Sequence, residues 1–195
     1  MHSVERLEFS EWPHPVPWLG AGGEQGAIYV LRRGDEVLWR VGIDFGEASH
    51  VPFREELVWE SAGVVALGGG DAVYVLDLGT GAARARIAVP SLFGHLALVS
   101  VPAVGGGNAE VLLVLGWTDV HAIDGQLAPC WVARDVAVDG ILLREARDQE
   151  LHMLAEMDPP GGWVGIVLDA RTGAELSREA EPVFDEEGPG APVDR

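Results

Sequence analysis

Hydrophobic residues along this chain fall in short blocks, four to eight residues long, separated by Gly, Asp and Pro. Some blocks alternate with polar residues, as in "ARARIAV" (83–89). Others run unbroken, as in "GVVALGG" (63–69) and "EVLLVLG" (110–116). Neither form has the 3.6-residue period of an amphipathic helix. Both are strand patterns, half-buried and fully buried respectively. The blocks come in groups of four. One group is "REELVWE", "GVVALGG", "AVYVLDL" and "ARARIAV". The next is "HLALVSV", "EVLLVLG", "DVHAID" and "PCWVARD". The last is "GILLREAR", "ELHMLAEM", "WVGIVLD" and "AELSREA". A first group has three members: "RLEFSEW" (6–12), "AIYVLRR" (27–33) and "EVLWRVGI" (36–43). Between its first two members, "HPVPWLGAGGEQG" (14–26) reads as a Pro- and Gly-rich loop. "VPFREELVWE" (51–60) also has the look of a short helix start, but the register of the groups favours a strand.

The groups are in phase. The residue that follows each "VL" or "AI" is Arg32, Asp77, Asp124 and Asp169, at intervals of 45, 47 and 45 residues. A period of about 40–50 residues marks stacked supersecondary units, and four strands per period is the pattern of a β-propeller blade. The expected fold is all-β: four repeated, four-stranded antiparallel sheets in a small propeller-like domain over 1–183. Open stacked sheets and a β-sandwich are the alternatives. A disordered acidic tail is expected at 184–195. The C-terminal "EPVFDE" (181–186) is a candidate strand to complete the short first unit.

"YVLDLGTG" (74–81) and "VLDARTG" (167–173) resemble the PQQ-like β-propeller repeat, whose blades carry a Y-x-L-D-x-x-T-G turn. The third unit lacks the Thr-Gly, and the first has Arg32 in place of Asp. In such a turn the carboxylate accepts from backbone N–H groups two or three residues on, and Gly supplies a positive φ. Asp77 and Asp169 are therefore expected to be structural. The resemblance does not extend to the quinone cofactor. Its cofactor-binding members are larger and carry an adjacent cysteine pair, whereas this chain has a single cysteine and room for four blades. The resemblance points instead to the scaffold members, which bind proteins and have no cofactor.

Charge narrows the partner. The chain has 31 acidic and 13 basic residues, a formal net charge of −18, and every basic residue is arginine. The lack of lysine is the mark of a GC-rich, bacterial coding sequence. So acidic a surface repels nucleic acid and anionic membranes and attracts a basic protein. No apolar run is long enough to span a membrane, and "MHSVERLEFSEW" lacks the features of a signal peptide. A cytoplasmic protein is expected. The lone Cys130 fits a reducing compartment, and its apolar neighbours suggest a buried thiol.

Blade topology gathers particular loops at one end. Turns between second and third strands open on the same side as connections to the next blade. That places "GGGD" (68–71), "GWTD" (116–119), "MDPPGGW" (157–163), "DFGEASHVP" (44–52), "VPSLFGH" (89–95) and "DVAVDG" (135–140) together. The candidate binding residues there are His50, His95, Trp117, Asp119, Asp139, Asp158 and Trp163. Trp163 is the expected anchor, because two prolines and two glycines shape its loop. No H-x-H, H-E-x-x-H, G-x-S-x-G or paired Cys occurs, and "LGGGDAV" joins two strands without the Lys of a phosphate loop. No catalytic residue, metal or cofactor is assigned. His121 and His152 lie in strands and read as packing or surface residues. The expected function is a non-enzymatic protein-binding module, in its specific form an immunity or inhibitor protein against a cationic toxin or effector. The alternative is a small hydrolase or lyase with a metal-assisted site, using His50 and His95, at the propeller mouth.

Overall fold

A computed structural model of the chain describes residues 1–8, 15–20, 26–46, 53–102, 107–160 and 162–179. Among them there is no α-helix. Sixteen strands form four sheets of four. The first sheet contains β1 (His2–Glu8), β2 (Trp18–Gly20), β3 (Ala27–Arg33) and β4 (Glu36–Asp44). The second contains β5 (Arg54–Trp59), β6 (Val64–Gly69), β7 (Ala72–Asp77) and β8 (Ala83–Ala88). The third is β9 (Phe93–Pro102), β10 (Asn108–Gly116), β11 (Val120–Ile123) and β12 (Pro129–Ala133). The fourth is β13 (Ile141–Arg147), β14 (Glu150–Asp158), β15 (Gly162–Asp169) and β16 (Glu175–Arg178). Sheets two to four are antiparallel meanders with strands in chain order. A 3-10 turn at Glu60–Ala62 follows β5. The 51–60 helix alternative is thereby set aside, since Arg54–Trp59 is strand.

The sheets stack face to face through three separate cores. Leu31, Val41, Leu67 and Leu76 pack between the first and second sheets. Ala66, Val75, Leu112 and Val114 pack between the second and third. Leu113, Leu115, Met153 and Ile166 pack between the third and fourth. A strand buried on both faces has no need of alternation, which explains the unbroken runs of β6, β7 and β10. Successive sheets also touch through single strands: β1 meets β5, β5 meets β9, and β9 meets β13. Among the described residues, β13 and β1 make no contact of comparable extent. The architecture is thus propeller-like, without a single closed sheet.

The first sheet departs from the expected meander. Its strand order is β1-β3-β4-β2, and β2 pairs with β4 in parallel. Residues 18–20, expected in a loop, thus form an edge strand, with the Trp18 ring lying over Gly42. No sequence period marks a three-residue strand. The first strand also begins earlier than expected, at His2 rather than Arg6. Because Arg32 closes β3 as Asp77 closes β7, β3 and β4 are the third and fourth strands of their unit. β1 then holds the second position, and it pairs only with β3. Among the described residues the innermost position of the first sheet has no strand. "EPVFDE" (181–186) and the 184–195 tail lie outside the described residues.

The Asp turns form as their chemistry requires. Asp77 Oδ1 accepts from the N–H groups of Gly79 (3.1 Å) and Thr80 (2.9 Å) and from Thr80 Oγ1 (2.9 Å). Asp169 Oδ1 repeats this with Arg171 (3.0 Å) and with both groups of Thr172 (2.8 Å each). Asp124, without the Thr, accepts from the N–H groups of Gln126 and Ala128, both at 2.9 Å. Arg32 instead pairs with Glu5 across the first sheet at 3.2 Å. The Thr172 hydrogen bonds hold the Asp169 carboxyl below its ordinary value of 3.8. Its ionised form is therefore favoured in the folded state, and the associated stability is present above pH 3.8 and lost as pH falls through the lower folded value. Asp169→Asn is expected to lower the urea midpoint at pH 7, with the gap from the wild type closing below about pH 4. Midpoints measured at pH 7, 5 and 3 check this, and a gap unchanged at pH 3 contradicts it.

Two tryptophans lock neighbouring sheets. Trp39 of β4 donates from Nε1 to Leu78 O at 2.9 Å, and Trp131 of β12 donates to Ala170 O at 3.0 Å. The ring of Trp39 lies over Gly81 and that of Trp131 over Gly173. Both glycines sit at positive φ, 71° and 70°, and a Cβ at either one would strike the indole. So each glycine is required twice, for its φ and for the close approach. Trp39 and Trp131 each stand seven residues after the marker position of their own unit. Trp131 also accounts for Cys130. The outer strand turns Trp131 inward, so Cys130 faces out and is exposed, contrary to the expected burial. Partial burial and the nearby Asp124 raise its thiol above the ordinary value.

Candidate functional site

At one end of the molecule the loops converge on a cleft of about 210 Å³. Its lining comes from the entry to three successive sheets. Phe53 precedes β5, Gly94 and His95 begin β9, and Asp139 to Leu142 enter β13. Gly116 and Trp117 come from the β10–β11 turn, and Glu156 and Trp163 from the facing ends of β14 and β15.

Backbone hydrogen bonds fix these loops against one another. Trp117 N–H donates to Leu92 O at 3.0 Å, tying the β10–β11 turn to the connection before β9. Val136 N–H donates to Thr118 O at 2.8 Å, and Glu156 N–H to Gly140 O at 2.9 Å. The glycine run at 68–70 has a packing purpose. A Cβ on Gly68 would strike the Phe93 ring, and one on Gly69 would come within 2.8 Å of Phe45. The hairpin is bare so that two phenyl rings can lie on it. This agrees with the expected hairpin turn.

The walls of the cleft are aromatic. Phe53 stands edge-on to Trp117, with centroids 6.5 Å apart and planes at 90°, and to His95 at 6.2 Å and 67°. His95 Nδ1 lies 3.6 Å from Glu55 Oε2, which also accepts from Leu96 N–H at 2.6 Å. Trp163, half-buried, also lines the cleft. A Cβ on Gly140 would sit 3.3 Å from Trp163 Cη2 and 3.5 Å from Glu156 Oε2, so the indole edge and the carboxylate both border Gly140. Phe53 in the cleft wall is 45% exposed, and next to lining residues Val138 is 53% and Met157 36% exposed.

Of the seven residues proposed from sequence, the cleft brings together His95, Trp117, Asp139 and Trp163. Asp158 is exposed at the end of β14, outside the cleft lining. Asp119 is buried; its Oδ1 accepts from Thr118 Oγ1 (3.1 Å) and from Asp135 N–H (3.2 Å). The loop after β12 folds over it, and its geometry is that of a loop brace. His50 lies outside the described residues, and with it the two-histidine metal arrangement. Among the described residues no three His, Cys, Asp or Glu side chains converge as metal donors. His121 is buried, which lowers its imidazole below the ordinary value despite Asp119, and His152 pairs with Glu150 at 3.0 Å. Sequence reasoning missed Phe53, Gly140 and Glu156. The signal for Glu156 was available: its strand register places it opposite Trp163.

No family model matches the chain, and no curated protein matches it. Among solved structures the chain is similar to BamB from Moraxella catarrhalis, at 14% identity and a TM-score of 0.31, over 91% of this chain and 74% of that one.

Proposed function

We propose that this chain is a protein-binding module that meets a basic partner protein through the cleft-bearing end. One observation carries the reading: an aromatic cleft, edged by the carboxylates of Asp139 and Glu156, opens beside the exposed side chains of Phe53, Val138 and Met157. Apolar side chains concentrated at one rigid end, with charge at the margin, are the anatomy of an interface. The net charge of −18 supplies the sign of the partner. The specific form is an immunity or inhibitor role in the cytoplasm against a cationic toxin or effector. The repeated units are read as PQQ-like blades serving as scaffold, supported by the Asp-Thr-Gly turns and the tryptophans that lie on their glycines.

The test is capture from the source cell on immobilised protein at low and moderate salt, with Trp117→Ala in parallel. The expected result is a basic protein held by the wild type, held less tightly as salt shortens the Debye length from about 10 Å at 0.1 M, and lost from the variant. A captured partner that is acidic, or one indifferent to Trp117→Ala, removes this face from the function.

A further inference from the structure

Three seams join the four sheets, and the middle one is built differently. The first and third are pinned at their outer strands by Trp39 and Trp131, each lying on a glycine and donating to a backbone carbonyl. At the corresponding place in the second sheet, seven residues after Asp77, stands the exposed Arg84, and the turn after β11 has no Thr-Gly to receive a ring. The middle seam is tied through β5 instead. Trp59 Nε1 donates to Glu110 Oε2 at 3.1 Å, and Leu96 N–H donates to Glu55 Oε2 at 2.6 Å. His121 lies in this seam too. It stands opposite Val114 in the β10–β11 pair, and opposed residues share a face. Val114 belongs to the core between the second and third sheets. The imidazole is 9% exposed, and its Nε2 has no hydrogen-bond partner among the described residues.

We propose that the middle seam is acid-sensitive: protonation of His121 parts the second sheet from the third and separates Phe53, at the entry to β5, from Trp117. A neutral imidazole leaves Nε2 as a bare acceptor, a small cost in an apolar seam. The imidazolium must donate from both nitrogens, and a buried, charged donor with no acceptor is expensive. The neighbours do not remove that cost. Asp119, on the same strand, attracts the cation, but its Oδ1 already accepts from Thr118 Oγ1 and Asp135 N–H. Arg134, after β12, repels it. On β10 the carboxylate of Glu110 is held by Trp59. Across the seam Glu55 is held by Leu96 N–H, and Asp77, at the end of β7, by its own turn. Burial prevails and holds the imidazole below its ordinary value of 6.5. The neutral form is thus favoured while the seam is closed. That stabilisation is whole above pH 6.5. Below it the open form gains, by up to about tenfold per pH unit, until the lower closed-state value is passed.

The experiment reads seam opening from the reactivity of a buried thiol. In the full chain carrying Cys130→Ser, Ala66→Cys places a thiol in the middle seam, and in a second protein Ala155→Cys places one in the third. Both positions are fully buried. Each thiol is labelled with dithiodipyridine between pH 7 and pH 5, and its rate is divided by that of an unfolded cysteine peptide at the same pH. The corrected rate at position 66 is expected to rise at least about fivefold from pH 7 to pH 5, and that at position 155 to change by less than about twofold. His121→Gln, added to Ala66→Cys, is expected to abolish the rise, with His95 present in both proteins. No rise at position 66, equal rises at the two positions, or a rise that survives His121→Gln overturns the proposal. Should the Gln variant fail to fold, the ring-proton signal of His121 in NMR decides. A titration within the pH interval of the labelling rise supports the switch, and a midpoint more than about one pH unit away from that rise overturns it.

Discussion

Trp131→Ala is expected to lower the free energy of unfolding by about 3–5 kcal/mol, the range for removing a large buried aromatic. Three losses combine. The ring leaves a hole between the third and fourth sheets, Gly173 loses the surface packed on it, and Ala170 O loses its donor. Trp131→Phe keeps most of the ring and loses the donor, so it is expected to cost less, with about 1–3 kcal/mol from the stranded carbonyl. Trp39→Ala repeats the loss at the first seam, against Gly81 and Leu78 O. The two sites share no partner, so the double variant is expected to show the sum of the single effects. Cys130→Ser, next to Trp131 but facing out, is expected to stay within about 0.5 kcal/mol of the wild type. Urea midpoints at constant m-value test all five variants. A loss below about 1 kcal/mol for Trp131→Ala means that the ring rests on its glycine without holding the sheets together.

The largest functional effect is expected at the cleft. Trp163→Ala removes the indole that borders Gly140, and Trp117→Ala removes the ring that Phe53 meets edge-on. Each is expected to weaken the captured partner by about 2 kcal/mol or more, roughly a thirtyfold rise in dissociation rate with little change in association. Asp158→Asn alters an exposed charge outside the cleft, so its effect is expected to be small and confined to the association rate. Surface-plasmon kinetics at two salt concentrations separate these cases. A Trp163→Ala variant with an unchanged dissociation rate removes that ring from the interface.

Much of this was written in the order of the residues. The intervals between Arg32, Asp77, Asp124 and Asp169 located every strand from β5 to β16 to within three residues, because a buried strand, its turn and its successor repeat as a unit. The topology of that unit then gathered four cleft residues at one end without any knowledge of their contacts. What was not legible had physical causes. β2 is too short to carry a period, and it pairs in parallel through a loop, which no local signal announces. Cys130 sits among apolar neighbours on an outer strand, where apolar composition and burial separate. Asp119 has the same residue type and turn position as a surface acid, and only the fold of the following loop buries it. The seams formed by Trp39 and Trp131 were present as a spacing of seven from the marker residue, but their partners lie 39 residues further on, in the next sheet.

The lone pairing of β1 bears on how the molecule behaves in a crowd. One side of this strand is bonded to β3; beyond His2, whose N–H reaches Glu60 at 3.4 Å, the described residues put no strand on its other side. Such a margin is a template on which a second chain can add a rung, and growth from it is how sheet proteins polymerise. Two features oppose that here. Glu5 and Arg6 place exposed charges along the strand, and the net charge of −18 keeps whole molecules apart. The first acts at contact and survives salt; the second acts at a distance and is screened within about 3 Å at 1 M salt. At high ionic strength the charges of Glu5 and Arg6 are therefore the barrier that remains along this strand.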